Sequence, residues 1–297
     1  VTKMNNYECI VVGAGPAGLG AAIAAARHGA QVLVIDENSL PGGQLFKQIH
    51  KFFGSKEHLA GTRGFIIGQR LLQEAESLGV KVLLDARVWG LFPGNELAYI
   101  FEGKTHIIKA KKIVLATGAI ENAISFPGGT LPGVITAGAA QTMVNIHRVL
   151  PGKKILMIGT GNVGLIVSYQ LMQAGADIVG IIEAAPSVGG YAVHANKLRR
   201  AGVPFYLSHT ITAARGNKKV ERAVIAPVDS NYRPLNEDSF EIEVDTVCLA
   251  VGLSPRVELA SFANCRLTSL PALGGFVPVH TQSMRAGADV YIAGDVA

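Results

Sequence analysis

The sequence predicts an α/β fold built from two copies of one strand–turn–helix–strand module. Three observations predict it. An apolar strand at residues 10–12 runs into glycines spaced G-x-G-x-x-G at Gly13, Gly15 and Gly18, and a helix of small residues follows. The pattern returns after Lys153: an apolar strand, then Gly159, Gly161 and Gly164, then a second helix. Each copy then reaches a second apolar strand that ends in acid, at Asp36-Glu37 in the first and at Glu183 in the second.

Each glycine of the first turn has a separate physical task. Gly13 permits the tight turn, Gly15 lets backbone approach a pyrophosphate, and Gly18 lets helix and strand pack closely. Pro16 and Ala17 lie between them at the start of the helix, whose N-terminal N–H groups and positive dipole end suit phosphate. Asp36 or Glu37 follows about 20 residues on, where a ribose-binding carboxylate belongs. Strand, glycines, helix and acid together predict a Rossmann-like dinucleotide-binding module. The second copy offers Gly159, Gly161, Asn162, Val163 and Gly164, with Glu183 one residue later after its glycines than Asp36 is. Gly29-Ala30 and Gly175-Ala176 occupy equivalent places after the two helices, and Gly189-Gly190 echoes Gly42-Gly43.

Between the modules, residues 62–78 read as an amphipathic helix and residues 80–84 as a parallel strand. Residues 87–92, 97–101 and 105–108 alternate between turn residues and predict a small antiparallel meander. An apolar strand from Lys111 ends in the small-residue turn Ala116-Thr117-Gly118. The Pro- and Gly-rich stretch 126–133 predicts an interdomain connection. After the second module the order recurs: a strand at 203–207, a meander from 211 to 242, and a strand from Thr246 to Gly252.

Composition bounds the rest. The 297 residues are 49% hydrophobic and include 35 glycines, which suits buried strands and tight turns. No apolar run is long enough for a membrane span, and the first residues lack the pattern of a secretory leader. The net charge is +5, with basic residues scattered, which points to solubility or to attraction of anionic cofactors and not to nucleic acid. Cys9, Cys248 and Cys265 are far apart and form no C-x-x-C, which argues against a local redox disulfide and for a cytoplasmic setting. No histidine spacing suggests a metal site.

These motifs, in this order, are similar to those of the two-dinucleotide-binding-domain flavoproteins, the pyridine nucleotide-disulfide oxidoreductase superfamily. The carriers are Gly13–Gly18, Ala116-Thr117-Gly118, Gly159–Gly164, Gly252 within Ala250-Val-Gly-Leu-Ser-Pro255, and Gly294-Asp295. The resemblance implies three-layer ββα domains, the second inserted into the first: residues 1–123 and 253–297 for FAD, residues 124–252 for NAD(H). It further implies that Val88 meets the adenine through its backbone. Thr117-Gly118 would lie under the cofactor and Asp295 would bond its ribityl chain or flavin-side phosphate. Gly43-Gln44, within Pro41-Gly-Gly-Gln-Leu45, would lie along the flavin side, as in thioredoxin reductases. Where those enzymes carry C-x-x-C this chain has Val134-Ile-Thr-Ala-Gly-Ala-Ala-Gln141, without cysteine. That wording resembles subunits of amino-acid and amine dehydrogenases: dye-linked proline dehydrogenase, opine oxidase, hydrogen cyanide synthase and heteromeric sarcosine oxidase.

The resemblance leaves three functions open. The first is an FAD-dependent oxidoreductase passing hydride between NAD(H) and a small-molecule acceptor or partner flavoprotein. The second is the electron-transfer subunit of an amine dehydrogenase. The third is a nucleotide-binding sensor or scaffold without turnover. The cofactors carry the chemistry, so no side chain is singled out as catalytic; His147 and His194 read as surface or cap histidines. In the superfamily a helix follows the Gly-Asp motif, so the stop at Ala297 implies a longer protein with a partner chain or a homodimer mate.

Overall fold

The computed structural model describes residues 6–52 and 55–297. Along the chain run β1 (Asn6–Val12), α1 (Pro16–Arg27), β2 (Val32–Ile35), α2 (Gly64–Ser77), β3 (Lys81–Leu83), β4 (Arg87–Phe92), β5 (Glu96–Phe101), β6 (Lys104–Leu115) and β7 (Ala119–Glu121). Then come β8 (Val134–Thr136), α3 (Ala137–Asn145), β9 (Lys154–Ile158), α4 (Asn162–Gln173), β10 (Asp177–Glu183), α5 (Ala192–Arg200), β11 (Phe205–Leu207), β12 (His209–Arg215), β13 (Arg222–Pro227), β14 (Phe240–Glu243) and β15 (Thr246–Leu249). The last are β16 (Leu253–Pro255), α6 (Glu258–Phe262), β17 (Leu267–Leu270), β18 (Gly275–Pro278) and β19 (Val290–Ile292). The chain divides into two compact units: Val1–Ile120 with Leu253–Ala297, and Glu121–Gly252.

In the first unit β3, β2, β1, β6 and β19 lie side by side and parallel. Their side chains alternate between two covered faces, as parallel strands require. Cys9, Val11, Val32 and Val34 pack with Leu19, Ala22 and Ile23 of α1 and Ala75 of α2. Tyr7, Ile10, Val12, Leu33 and Ile35 pack on the other side with Leu91, Leu97 and Ile108 of the meander. That makes three layers of ββα type. The third meander strand and the apolar strand from Lys111, separate by their sequence patterns, are one strand. β6 runs antiparallel to β5 at residues 104–109, then parallel to β1 from Lys109 to Leu115.

The second unit repeats the plan, with β11, β10, β9, β15 and β8 in order and all parallel. Ile155, Met157 and Cys248 face Leu165 and Leu171 of α4 and Leu198 of α5. Leu156, Ile158 and Val247 face Ile211, Ala223 and Ile225 of the antiparallel sheet β12–β13–β14. Burying each such aliphatic side chain stabilises by about 1.5–3 kcal/mol.

Residues 126–133, expected as a connection, belong to the body of this unit. Phe126 and Leu131 pack into its core, the Ala214 N–H donates to Pro127 O at 2.8 Å, and a side chain at Gly128 would run into the Ala214 carbonyl. Close backbone approach, not flexibility, accounts for that glycine.

All three cysteines are buried and free. Burial pushes the Cys9 thiol up to about 11 and raises Cys248 and Cys265 as well, Glu121 adding to the effect at Cys248. The thiolate is the reactive form. Native protein is therefore expected to show no fast-reacting thiol towards an aromatic disulfide reagent, and three after denaturation. A dithiol that titrates only after NADH reduction would overturn this.

Candidate nucleotide-binding sites

In the first unit the chain leaves β1 through Gly13, at φ 108, whose N–H donates to Ile35 O at 2.8 Å. A Cβ at Gly13 would strike the Ala116 carbonyl, and one at Gly18 the Gly13 carbonyl. Gly15 differs: the nearest atom to a Cβ there is Gly43 Cα, 3.9 Å away. α1 begins at Pro16, which gives up no useful donor, and has neither a side-chain cap nor an acid in its first turn. Its N-terminal N–H groups are left for an external acceptor, and the open position at Gly15 suits a phosphate. A Cβ at Gly294 would stand 2.7 Å from Ala17 Cβ, so the turn after β19 lies on the first turn of α1 and brings exposed Asp295 there.

Asp36 is buried and turned inward. Its Oδ2 accepts from Ala14 N at 2.5 Å, and its Oδ1 accepts from Asn38 N and Nδ2, both at 2.8 Å. Its neighbour Glu37 instead pairs with Arg256 at 2.7 Å and Arg87 at 3.1 Å. The hydrogen-bonded Arg256 guanidinium holds this carboxyl below its ordinary range against the opposing effect of burial, and Arg87 adds to the lowering. The loop after β2 folds back on the turn: Gly42 N–H donates to Ala14 O at 2.7 Å, and a Cβ on Gly43 would stand 2.9 Å from Gly15 Cα. Gln44 is exposed beside it. Ala116 N–H donates to Val12 O, and the Thr117 hydroxyl donates to Arg256 O at 2.7 Å. Gly118 sits at φ 69, and Arg256 N–H donates to its carbonyl. Val88 turns its side chain into the core rather than towards these groups.

The second unit reproduces the backbone hydrogen bonds of this turn. Gly159, at φ 105, donates to Ile182 O, and Ala250 N–H donates to Ile158 O. Side chains at Gly159 and Gly164 would strike the carbonyls of Ala250 and Gly159, while a Cβ at Gly161 would meet nothing within 4 Å. α4 has no side-chain cap, and Val163 in its first turn is exposed. Asn162 Oδ1 accepts from Tyr191 N at 2.8 Å, and Gly252 is exposed at φ 115. Glu183 takes the place of Asp36. Its Oε2 accepts from Thr160 N at 3.0 Å and from the Thr160 hydroxyl at 2.5 Å, and its Oε1 accepts from Ala185 N at 3.0 Å. The extra residue before Glu183 is absorbed by a bulge: the β9–β10 register jumps between Ile178 and Gly180, leaving Val179 unpaired. Gly190 N–H donates to Thr160 O at 2.8 Å, as Gly42 does to Ala14.

The motifs do not single out Thr160, Asn38 or the arginines at Glu37. A signal exists for the first: Thr160 and Ala14 occupy the same place in the repeat. In the cysteine-free stretch of residues 134–141, Ala137 and Ala140 are fully buried. Glu121 closes the end of α3 there, accepting from the Thr136 hydroxyl and Gly138 N, each at 2.6 Å.

Comparison with known proteins agrees with this geometry. The chain matches the pyridine nucleotide-disulphide oxidoreductase family over residues 7–297 and belongs to it. Members of that family are FAD- and NAD(P)-dependent oxidoreductases. The chain is 29% identical to an opine oxidase subunit of Rhizobium meliloti (strain 1021), over 98% of this chain and 67% of that one. It is 28% identical to hydrogen cyanide synthase subunit HcnB of Pseudomonas aeruginosa, over 86% of this chain and 59% of that one. It thus spans about two thirds or less of these relatives' length. The fold is shared with T. acidophilum thioredoxin reductase at a TM-score of 0.79 and 21% identity, over 98% of this chain and 90% of that one. Among the described residues no helix is long and apolar enough to cross a membrane.

Proposed function

We propose that the chain is a flavoprotein oxidoreductase that passes hydride between NAD(H), taken by the second unit, and FAD, taken by the first. Electrons then go to a small acceptor or a partner flavoprotein. The observation that carries this reading is the pair of glycine turns, each with an uncapped helix N-terminus and room for phosphate at its middle glycine. FAD supplies the two-electron chemistry; the protein's part is to bind and orient. The first turns of α1 and α4 would hold the pyrophosphates through backbone N–H groups. Asp295, exposed beside the first turn of α1, would bond a cofactor hydroxyl through its carboxylate.

The names of the relatives support a second reading, an electron-transfer subunit of a heteromeric amine-oxidising enzyme, because those proteins are oxidase or synthase subunits. The pair Ala184-Ala185 beside Glu183 offers no cation for a 2′-phosphate, which favours NADH over NADPH. Anaerobic titration of the purified protein with NADH is the test. Bleaching of the flavin absorbance by one equivalent of NADH, ahead of NADPH, is expected. Flavin that bleaches only with an amino acid and a copurifying flavoprotein would replace the first reading by the second.

A further inference from the structure

We propose that Thr160 sets how strongly the second unit distinguishes NADH from NADPH. The proposal rests on the reading that this unit takes a nicotinamide dinucleotide. A carboxylate has about four lone-pair positions, and a ribose is read by donating its hydroxyls to them. Glu183 has three positions in use. Both on Oε2 go to Thr160, one to its N–H and one to its hydroxyl, and one on Oε1 goes to Ala185 N–H. Glu183 can therefore accept one ribose hydroxyl, through Oε1, and cannot clasp two.

Of these three donors only the Thr160 hydroxyl belongs to a side chain. The first unit shows the turn without it: Ala14 stands at the same place, and its N–H alone reaches Asp36. The hydroxyl acts on the carboxylate twice. It draws charge from the carboxylate, which makes Oε1 a weaker acceptor for a ribose hydroxyl. It also hydrogen-bonds the ionised oxygen, which spreads charge that would otherwise repel a 2′-phosphate. Removing it strengthens the reading of NADH and the rejection of NADPH together.

Thr160 has a second, purely structural contact, since its Oγ1 accepts from Gly189 N–H at 3.0 Å. Losing that bond loosens the loop over the turn and weakens both nucleotides alike. The ratio of affinities separates the two roles. Calorimetric titration of the full protein with NADH and with NADPH would compare wild type, Thr160→Ala, Thr160→Val and Thr160→Ser. The ratio Kd(NADPH)/Kd(NADH) is expected to rise roughly fivefold to tenfold in the two variants without a hydroxyl, the scale of one hydrogen bond. It is expected to stay at the wild-type value in Thr160→Ser. Alanine is tolerated at this place in the first unit, and Val keeps the volume, so one soluble variant suffices. A ratio unchanged in the hydroxyl-free variants overturns the proposal while nucleotide binding stands. Wild type that binds neither nucleotide overturns the reading of the second unit and the proposal with it.

Discussion

Gly15→Val is expected to yield a folded protein without flavin, whereas Gly18→Val is expected to lose both flavin and stability. The two glycines sit three residues apart in one motif, yet different things surround them. Gly15 has φ −70 and ψ 176, an extended conformation that any residue adopts, and a Cβ there has only Gly43 Cα nearby, at 3.9 Å. A Cβ there meets no clash, and valine would project its branches over the N-terminus of α1, where the pyrophosphate would approach. At Gly18 a Cβ would strike the Gly13 carbonyl and come within 3.1 Å of Ala116 Cβ, so β1, α1 and β6 would have to separate. Forced overpacking of this kind costs about 3 kcal/mol or more. In a domain of this size that corresponds to a Tm lower by roughly 6–12 °C. The ratio of flavin to protein absorbance and thermal unfolding check the pair. A Gly15→Val protein purified with its full flavin would overturn the placement of FAD in the first unit.

Glu183→Arg, on sequence grounds the obvious route to NADPH preference, is expected instead to weaken both nucleotides and destabilise the second unit. Thr160 is fully buried and has no water to turn to. Without the carboxylate, the Thr160 N–H, the Thr160 hydroxyl and the Ala185 N–H all lose their acceptor. The two Thr160 donors are buried, and each left unsatisfied costs about 1–3 kcal/mol; Ala185 is half-buried and loses less. Glu183→Ala is therefore expected to lose about 3 kcal/mol or more and to loosen the glycine turn that α4 offers to phosphate. Asp36→Ala should do the same in the first unit through Ala14 and Asn38. Thermal unfolding with nucleotide titration of Glu183→Ala and Glu183→Arg checks this. Wild-type stability in Glu183→Ala would show that the carboxylate does not hold the turn. A clean exchange of NADH for NADPH in Glu183→Arg would return Glu183 to the ribose alone.

Much of this architecture is legible because its signals are local. Glycines that must accept a positive φ or a carbonyl at their Cα cannot be other residues, so Gly13, Gly18, Gly159 and Gly164 mark their turns directly. Strands covered on both faces are continuous apolar runs, so β1, β2, β9 and β10 stand out as well. What stays hidden depends on register. The passage of β6 from one sheet pattern to the other is hidden because residues 105–108 alternate and the run from Lys111 is apolar, so one strand reads as two. The glycines of residues 126–133 look like those of any flexible connection until Ala214 is seen against Gly128.

By itself, then, the sequence determined the repeated strand–glycine–helix order, the two acids at the strand ends and the absence of paired cysteines. Each of these depends on residue type and on spacing along the chain. The tertiary structure alone decided what the acids do. The lone pairs of Asp36 and Glu183 are shared out by groups from 2 to 23 residues away, brought together by strand register and by the bulge at Val179. Hydrogen bonds depend on position to a fraction of an ångström. No spacing rule carries that information, which is why a carboxylate that reads as a ribose ligand in the sequence also serves, in the folded chain, to hold the turn beside it.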